Sequence, residues 1–218
     1  MSIVLVGSTS GSVTLQEPAV AGTTVLTLPA ATGTVLTTAS NIAGTQGASM
    51  VLLGSATASS SATIDFTNLA LSDYSGYRIL LDCVVPATNG VSLLMRTSSS
   101  GTFQTSGYYW QNFRWTTTGS GVTGNAGSAT GIALDASGAD NMANTANQGG
   151  NWVVDINVPF QNTDIHKVTY QGFYVGSTWL GIVGGAYSGT NSIDGIRFLM
   201  TSGNISTGRF YLYGIKNA

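Results

Sequence analysis

The chain has 218 residues, only 7% of them charged, with a formal net charge of −2 and 29 glycines. A disordered chain of this length would be rich in charge and poor in aromatics, so the nine Tyr, seven Phe and four Trp exclude that class. The seven basic residues are scattered singly, which argues against nucleic acid as a partner, and no run approaches the roughly twenty apolar residues of a membrane-spanning helix.

In chain order, Met1 to Val6 lacks the basic and apolar regions of a signal peptide, so the chain is expected to be made and used without secretion. Residues 1–38 then read as a β-rich arm. Short runs at Val13 to Leu15, Thr23 to Leu28 and Thr34 to Thr37 are separated by Gly, Pro, Ala and Ser, with Glu17 as the one charge from Gly7 to Thr38. Such runs spell strands and turns without the apolar mass for a core, and two or three isolated strands are marginal in water. The arm is therefore expected to bury Val13, Leu15, Leu26, Leu28, Pro29, Val35 and Leu36 against other copies of the chain or a larger assembly.

The pattern SGSVTLQEPAVAGTTVLTLPAATGTVLTT resembles the short β-rich module near the start of many tailed-bacteriophage tail-fibre, head-fibre and capsid-decoration proteins. SGYRILLDCVVPATNGVSLLMRTSSSGTF and the closing SGNISTGRFYLYGIKNA are similar to the terminal β-sandwich domains of such fibres. The resemblance implies a non-enzymatic virion component, usually trimeric, assembled in the host cytoplasm and displayed on the virion surface.

Residues 39–49, ASNIAGTQGAS, are small, polar and aperiodic, and read as a linker. From residue 50 to 218 ten strand-length runs follow: Met50 to Leu53, Ala62 to Phe66, Tyr77 to Val85, Val91 to Arg96, Tyr108 to Thr117, Trp152 to Val158, Lys167 to Tyr174, Thr178 to Val183, Ile196 to Met200 and Arg209 to Ile215. No helical period interrupts them. Trp152, Val154, Ile156 and Val158 share one face, and Phe210 and Leu212 oppose Arg209, Tyr211 and Tyr213. The expected class is all-β: a short N-terminal arm and a two-sheet sandwich, jelly-roll-like, assembled as a trimer. Cys83, the one cysteine, alternates with Leu81 and Val85 and reads as a small core residue.

Between the sandwich runs, Thr118 to Gly150 is rich in Gly, Ala, Asn and Ser, with a short strand indicated only at Thr130 to Leu134. It reads as a long loop suited to a neighbouring subunit or a neutral glycan, or as a flexible insertion. Just before it stands the densest aromatic cluster, Tyr108, Tyr109, Trp110, Phe113, Arg114 and Trp115, the candidate contact for a glycan or a protein partner. Strand alternation sets Tyr108, Trp110 and Asn112 against Tyr109, Gln111, Phe113 and Trp115, so one set leaves the core unless a second subunit covers it.

Catalysis finds little support. His166, the one histidine, has no second histidine or third ligand nearby and reads as a turn-associated surface residue. Asp135 and Asp140 give a weak spacing for a carboxylate pair, or for calcium beside Asn141 and Asn144. No catalytic residue, metal or cofactor is assigned. The expected function is architectural: a trimeric head fibre or capsid-decoration protein, partnered by itself and by the major capsid protein or other virion proteins. The alternative is a short tail fibre whose sandwich binds a host-surface glycan. Absence of a long anchor before the β-module and of a shaft after it favours the first.

Overall fold

The computed structural model describes residues 3–6, 9–15, 50–69, 73–117, 119, 121–135, 141–146, 148–157, 166–176, 178–187 and 193–216. The chain divides into two units, Met1–Thr45 and Gln46–Ala218. In the first, β1 (Ile3–Val6) pairs antiparallel with β2 (Ser12–Leu15), Leu5 opposite Val13 and Ile3 opposite Leu15. The runs at Thr23 to Leu28 and Thr34 to Thr37, and with them Leu26, Leu28, Pro29, Val35 and Leu36, lie outside the described residues.

The second unit is all-β, with two sheets packed face to face and no α-helix among the described residues. Its larger sheet has eight strands in the spatial order β3 (Met50–Ser61), β15 (Ile205–Lys216), β5 (Tyr74–Pro86), β11 (Gly150–Asn157), β12 (Lys167–Val175), β13 (Trp179–Tyr187), β8 (Tyr108–Thr116) and β9 (Gly121–Ala129). The smaller runs β10 (Ile132–Ala133), β6 (Leu93–Ser99), β14 (Gly195–Met200) and β4 (Thr63–Thr67), with β7 (Thr102–Phe103) paired to β6. All ten expected runs fall on strands. Their alternation points the apolar set inward, so that Tyr77, Ile79, Met95, Val154, Ile156, Phe198, Phe210 and Leu212 meet in one core between the sheets. Tyr108 ties the layers together: its Oη accepts the Thr97 N–H at 2.8 Å and lies 3.2 Å from the Thr97 and Gln104 carbonyl oxygens.

Three expectations are corrected. The described residues between 118 and 150 are not one long loop. They supply the nine-residue edge strand β9, then turn inward so that Gly131, Ile132, Ala133, Leu134 and Asp135 are all buried beneath the large sheet. Cys83 is exposed rather than packed in the core. A β-bulge between β5 and β11 lets Cys83 take a left-handed backbone (φ 52°), which breaks the alternation that would have turned it inward. His166 is buried at 2% exposure, not at the surface, because it continues the inward set Val168 and Tyr170 at the start of β12.

Candidate functional site

The alternation in β8 decides which of the six clustered residues reach solvent. Tyr108, Trp110 and Arg114 are buried, so they belong to the core side of the sheet and not to a contact surface of this chain. Tyr109, Phe113 and Trp115 point outward, 43–45% exposed. Antiparallel register extends that outward set across the sheet. Phe113 stands opposite Val183, Val183 opposite Gln171, Gln171 opposite Val153 and Val153 opposite Leu80. In the next row Trp115 stands opposite Gly181, Gly181 opposite Phe173 and Phe173 opposite Asn151. Phe173 and Val183 are 47% and 45% exposed, so the outer face of the sheet carries a patch of half-exposed rings set among amides.

Glycine shapes that patch. A Cβ built on Gly181 would stand 2.4–2.6 Å from Cε2, Nε1 and Cζ2 of Trp115, so the indole lies across the Gly181 backbone like a tile. Gly181 is accordingly buried although its position faces outward. The Phe113 ring covers Gly121 in the same way. Phe113 and Trp115 have ring centroids 6.3 Å apart and planes inclined by 32°, forming a nearly continuous aromatic floor. Beyond Trp115, an open groove of about 490 Å³ is bounded by Phe173, Gln171, Val153, Asn151, Leu80 and Asp82.

The groove is firmly supported from below. Trp152 Nε1 donates to the Leu134 carbonyl at 2.6 Å, and Asn112 Nδ2 donates to the Asp135 carbonyl at 3.0 Å and to Tyr170 Oη at 3.3 Å. The buried segment 131–135 is thus pinned to the inner faces of β8 and β11. Burial pushes the Tyr170 phenol well above its ordinary value.

Two ion pairs lie at the face. Arg78 grips Asp155 through two hydrogen bonds of 2.7 and 3.0 Å, and Arg209 Nη2 lies 2.6 Å from Asp82 Oδ2. At the bulge, the Cys83 N–H donates to Asn151 Oδ1 at 2.7 Å. A hydrogen bond to Asp82 holds the Cys83 thiol above its ordinary value, with burial and the Asp82 charge adding to the shift and Arg209 opposing it.

Among the described residues, those considered for catalysis do not form a site. Asp135 is fully buried and Asp140 lies outside the described residues, while Asn141 and Asn144 donate to the Gly90 and Ala87 carbonyls. Among the described residues no group of three or more His, Cys, Asp or Glu could hold a metal ion. No family model, curated protein or solved structure matches this chain.

Sequence reasoning found Tyr109, Phe113 and Trp115 but not Phe173, Gln171, Asn151 or Asp82, which reach the groove from three other strands. A signal existed for Phe173. Val168, Tyr170 and Tyr174 form the inward set of β12, which leaves Thr169, Gln171 and Phe173 outward.

Proposed function

We propose that this chain is a non-enzymatic structural protein of a tailed-bacteriophage virion: a homotrimeric head fibre or capsid-decoration protein, anchored by its N-terminal arm and displaying its sandwich at the virion surface. The observation that supports this reading is the succession of a hairpin-bearing first unit and a two-sheet sandwich, whose strand order favours a jelly-roll winding. Four framework strands, β3, β15, β5 and β11, lie side by side in the large sheet, and four, β4, β14, β6 and β10, in the small one. In chain order they visit the sheets as large, small, large, small, small, large, small, large, which supports reading the framework as a double Greek key. β7, β8 and β9 are inserted between β6 and β10, and β12 and β13 between β11 and β14.

Support for a non-enzymatic role is that His166 and Asp135 are sealed from substrate, at 2% and 0% exposure. Support for assembly is the charge content of 7%, since a surface shared with neighbours needs fewer solvating charges than a free one. The partners are other copies of the chain and the major capsid protein. Light scattering on the full-length protein should give about three times 22.4 kDa. A stained gel of purified particles should show many copies per virion. A concentration-independent monomer, or absence from particles, refutes the reading.

A short tail fibre that binds a host-surface glycan is the second reading, favoured by the outward rings of Phe113, Trp115 and Phe173. A handful of copies per virion instead of many would select it.

A further inference from the structure

The groove beside Trp115 serves neither the anchoring nor the winding described above. We propose that it binds one uncharged pyranose unit, a neutral hexose or N-acetylhexosamine of a glycan. The ring stacks on the Trp115 indole and its hydroxyls are held by Gln171, while Asn151 and Asp82, on β11 and β5 farther along the groove, hold hydroxyls of the adjoining unit of the glycan. This inference rests on the geometry of the face and not on the virion reading.

The stacking surface is prepared before any ligand arrives. Because the indole lies on Gly181, one of its faces is spent on the backbone and the other is offered to solvent. A side chain already held in place loses little rotamer freedom on binding. A pyranose has a complementary shape, with a flat patch of C–H groups on one face and hydroxyls around the rim, matching an aromatic ring ringed by amides. The rim groups are present. The Asn151 oxygen is engaged by the Cys83 N–H, which turns its amide NH₂ to the donor role, and Gln171 supplies a second planar amide. Farther along the groove Asp82 offers carboxylate oxygens to hydroxyls of the adjoining unit while Arg209 balances its charge.

Charge and area argue for this occupant over others. An anionic sugar would find no cationic side chain among the residues lining the groove. A second copy of the sheet packed on this face would have to desolvate Lys167 and both ion pairs, Arg78–Asp155 and Arg209–Asp82. Its return would be no more than the apolar share of an ordinary interface: five apolar side chains at 43–47% exposure offer roughly 400 Å², and a standard interface buries ~800 Å² per partner of which roughly half is apolar.

The test is titration of the full-length protein with methyl glycosides of neutral hexoses and of N-acetylglucosamine, followed by tryptophan fluorescence and saturation-transfer NMR. At least one neutral glycoside should bind saturably, and a sialoside should bind more weakly. Trp115→Ala should weaken binding about tenfold or more, the scale of one lost stacking contact. Gly181→Ala should weaken it comparably with the indole still present, because the new Cβ enters the space of the ring. Gln171→Ala, an exposed change, should lower affinity several-fold at an unchanged melting temperature, which separates binding from folding. The proposal is overturned if no neutral glycoside binds saturably, if the sialoside binds as well, or if Trp115→Ala leaves affinity unchanged. A change of oligomer mass in Trp115→Ala without loss of sugar binding would also overturn it and assign the face to subunit contact.

Discussion

Gly172→Ala should be among the most damaging single-methyl changes in the sandwich. A Cβ at Gly172 would stand 2.2 Å from Cδ1, 2.5 Å from Nε1 and 2.6 Å from Cγ of Trp152. That indole cannot yield freely: it is 2% exposed, stacks on Tyr174 at 5.9 Å and 21°, and donates to the Leu134 carbonyl. Overpacking of this kind costs about 1–3 kcal/mol, and a buried carbonyl left without its donor adds about 1–3 kcal/mol. Against this, replacing a strand glycine by alanine returns about 0.5–1 kcal/mol of backbone entropy. The net loss is about 3 kcal/mol, or roughly 6–12 °C in melting temperature for a domain of this size. Gly185→Ala is the matched control, since its Cβ would meet nothing closer than the Val168 carbonyl oxygen at 3.9 Å, and it should be neutral or gain about 0.5 kcal/mol. Trp110, Trp115, Trp152 and Trp179 all lie in the sandwich, so urea unfolding followed by tryptophan emission reports on that unit alone. A Gly172→Ala protein within about 1 kcal/mol of the parent would show that the Trp152 ring is not fixed where its hydrogen bond places it.

Two further outcomes are expected. Cys83 should react with iodoacetamide at neutral pH more slowly than a free thiol despite its exposure, and Asp82→Asn should speed the reaction by removing the group that raises the thiol; equal rates in the two proteins would refute that assignment. Burial pushes Tyr77 up to about 12, and Tyr108 and Tyr170 are raised for the same reason. The folded state therefore keeps phenolic protons that the unfolded chain sheds near pH 10, so stability should fall as pH climbs from about 10 to 12, by up to about 1.4 kcal/mol per pH unit per tyrosine. Tyr77→Phe should flatten that decline, and an unchanged slope in urea melts across this range would count against it.

The strands most legible in the sequence are those whose side chains obey a period of two. β11 and β15 show it openly: Trp152, Val154 and Ile156 inward in one, Phe210 and Leu212 in the other. β9 was illegible because GVTGNAGSA has almost nothing apolar to alternate. It is a strand because β8 offers it an edge and because Phe113 lies over Gly121 where a side chain would stand. Cys83 and His166 failed for opposite reasons: a bulge broke a period that looked intact, and a solitary polar residue continued an inward set it did not advertise. Half of the candidate face was readable within β8, where neighbours in space are neighbours in sequence. Phe173, Gln171 and Asn151 join it only through registers between strands, which no local pattern encodes.

The inserted strands also set an order of assembly. β8 and β9 form one hairpin and β12 and β13 another, each closing a short loop and therefore fast to form. The seam between β8 and β13 joins residues far apart in the chain, with Trp115 meeting Gly181 and Phe113 meeting Val183. Closing it requires the framework strands to have found their places already, because β12 is held to them only through β11. The aromatic floor would then exist only once this late seam has zipped. Amide hydrogens along β8 and β13 should exchange with solvent sooner than those of β5 and β15, so the surface proposed to meet a sugar would also be the part of the sheet most readily opened.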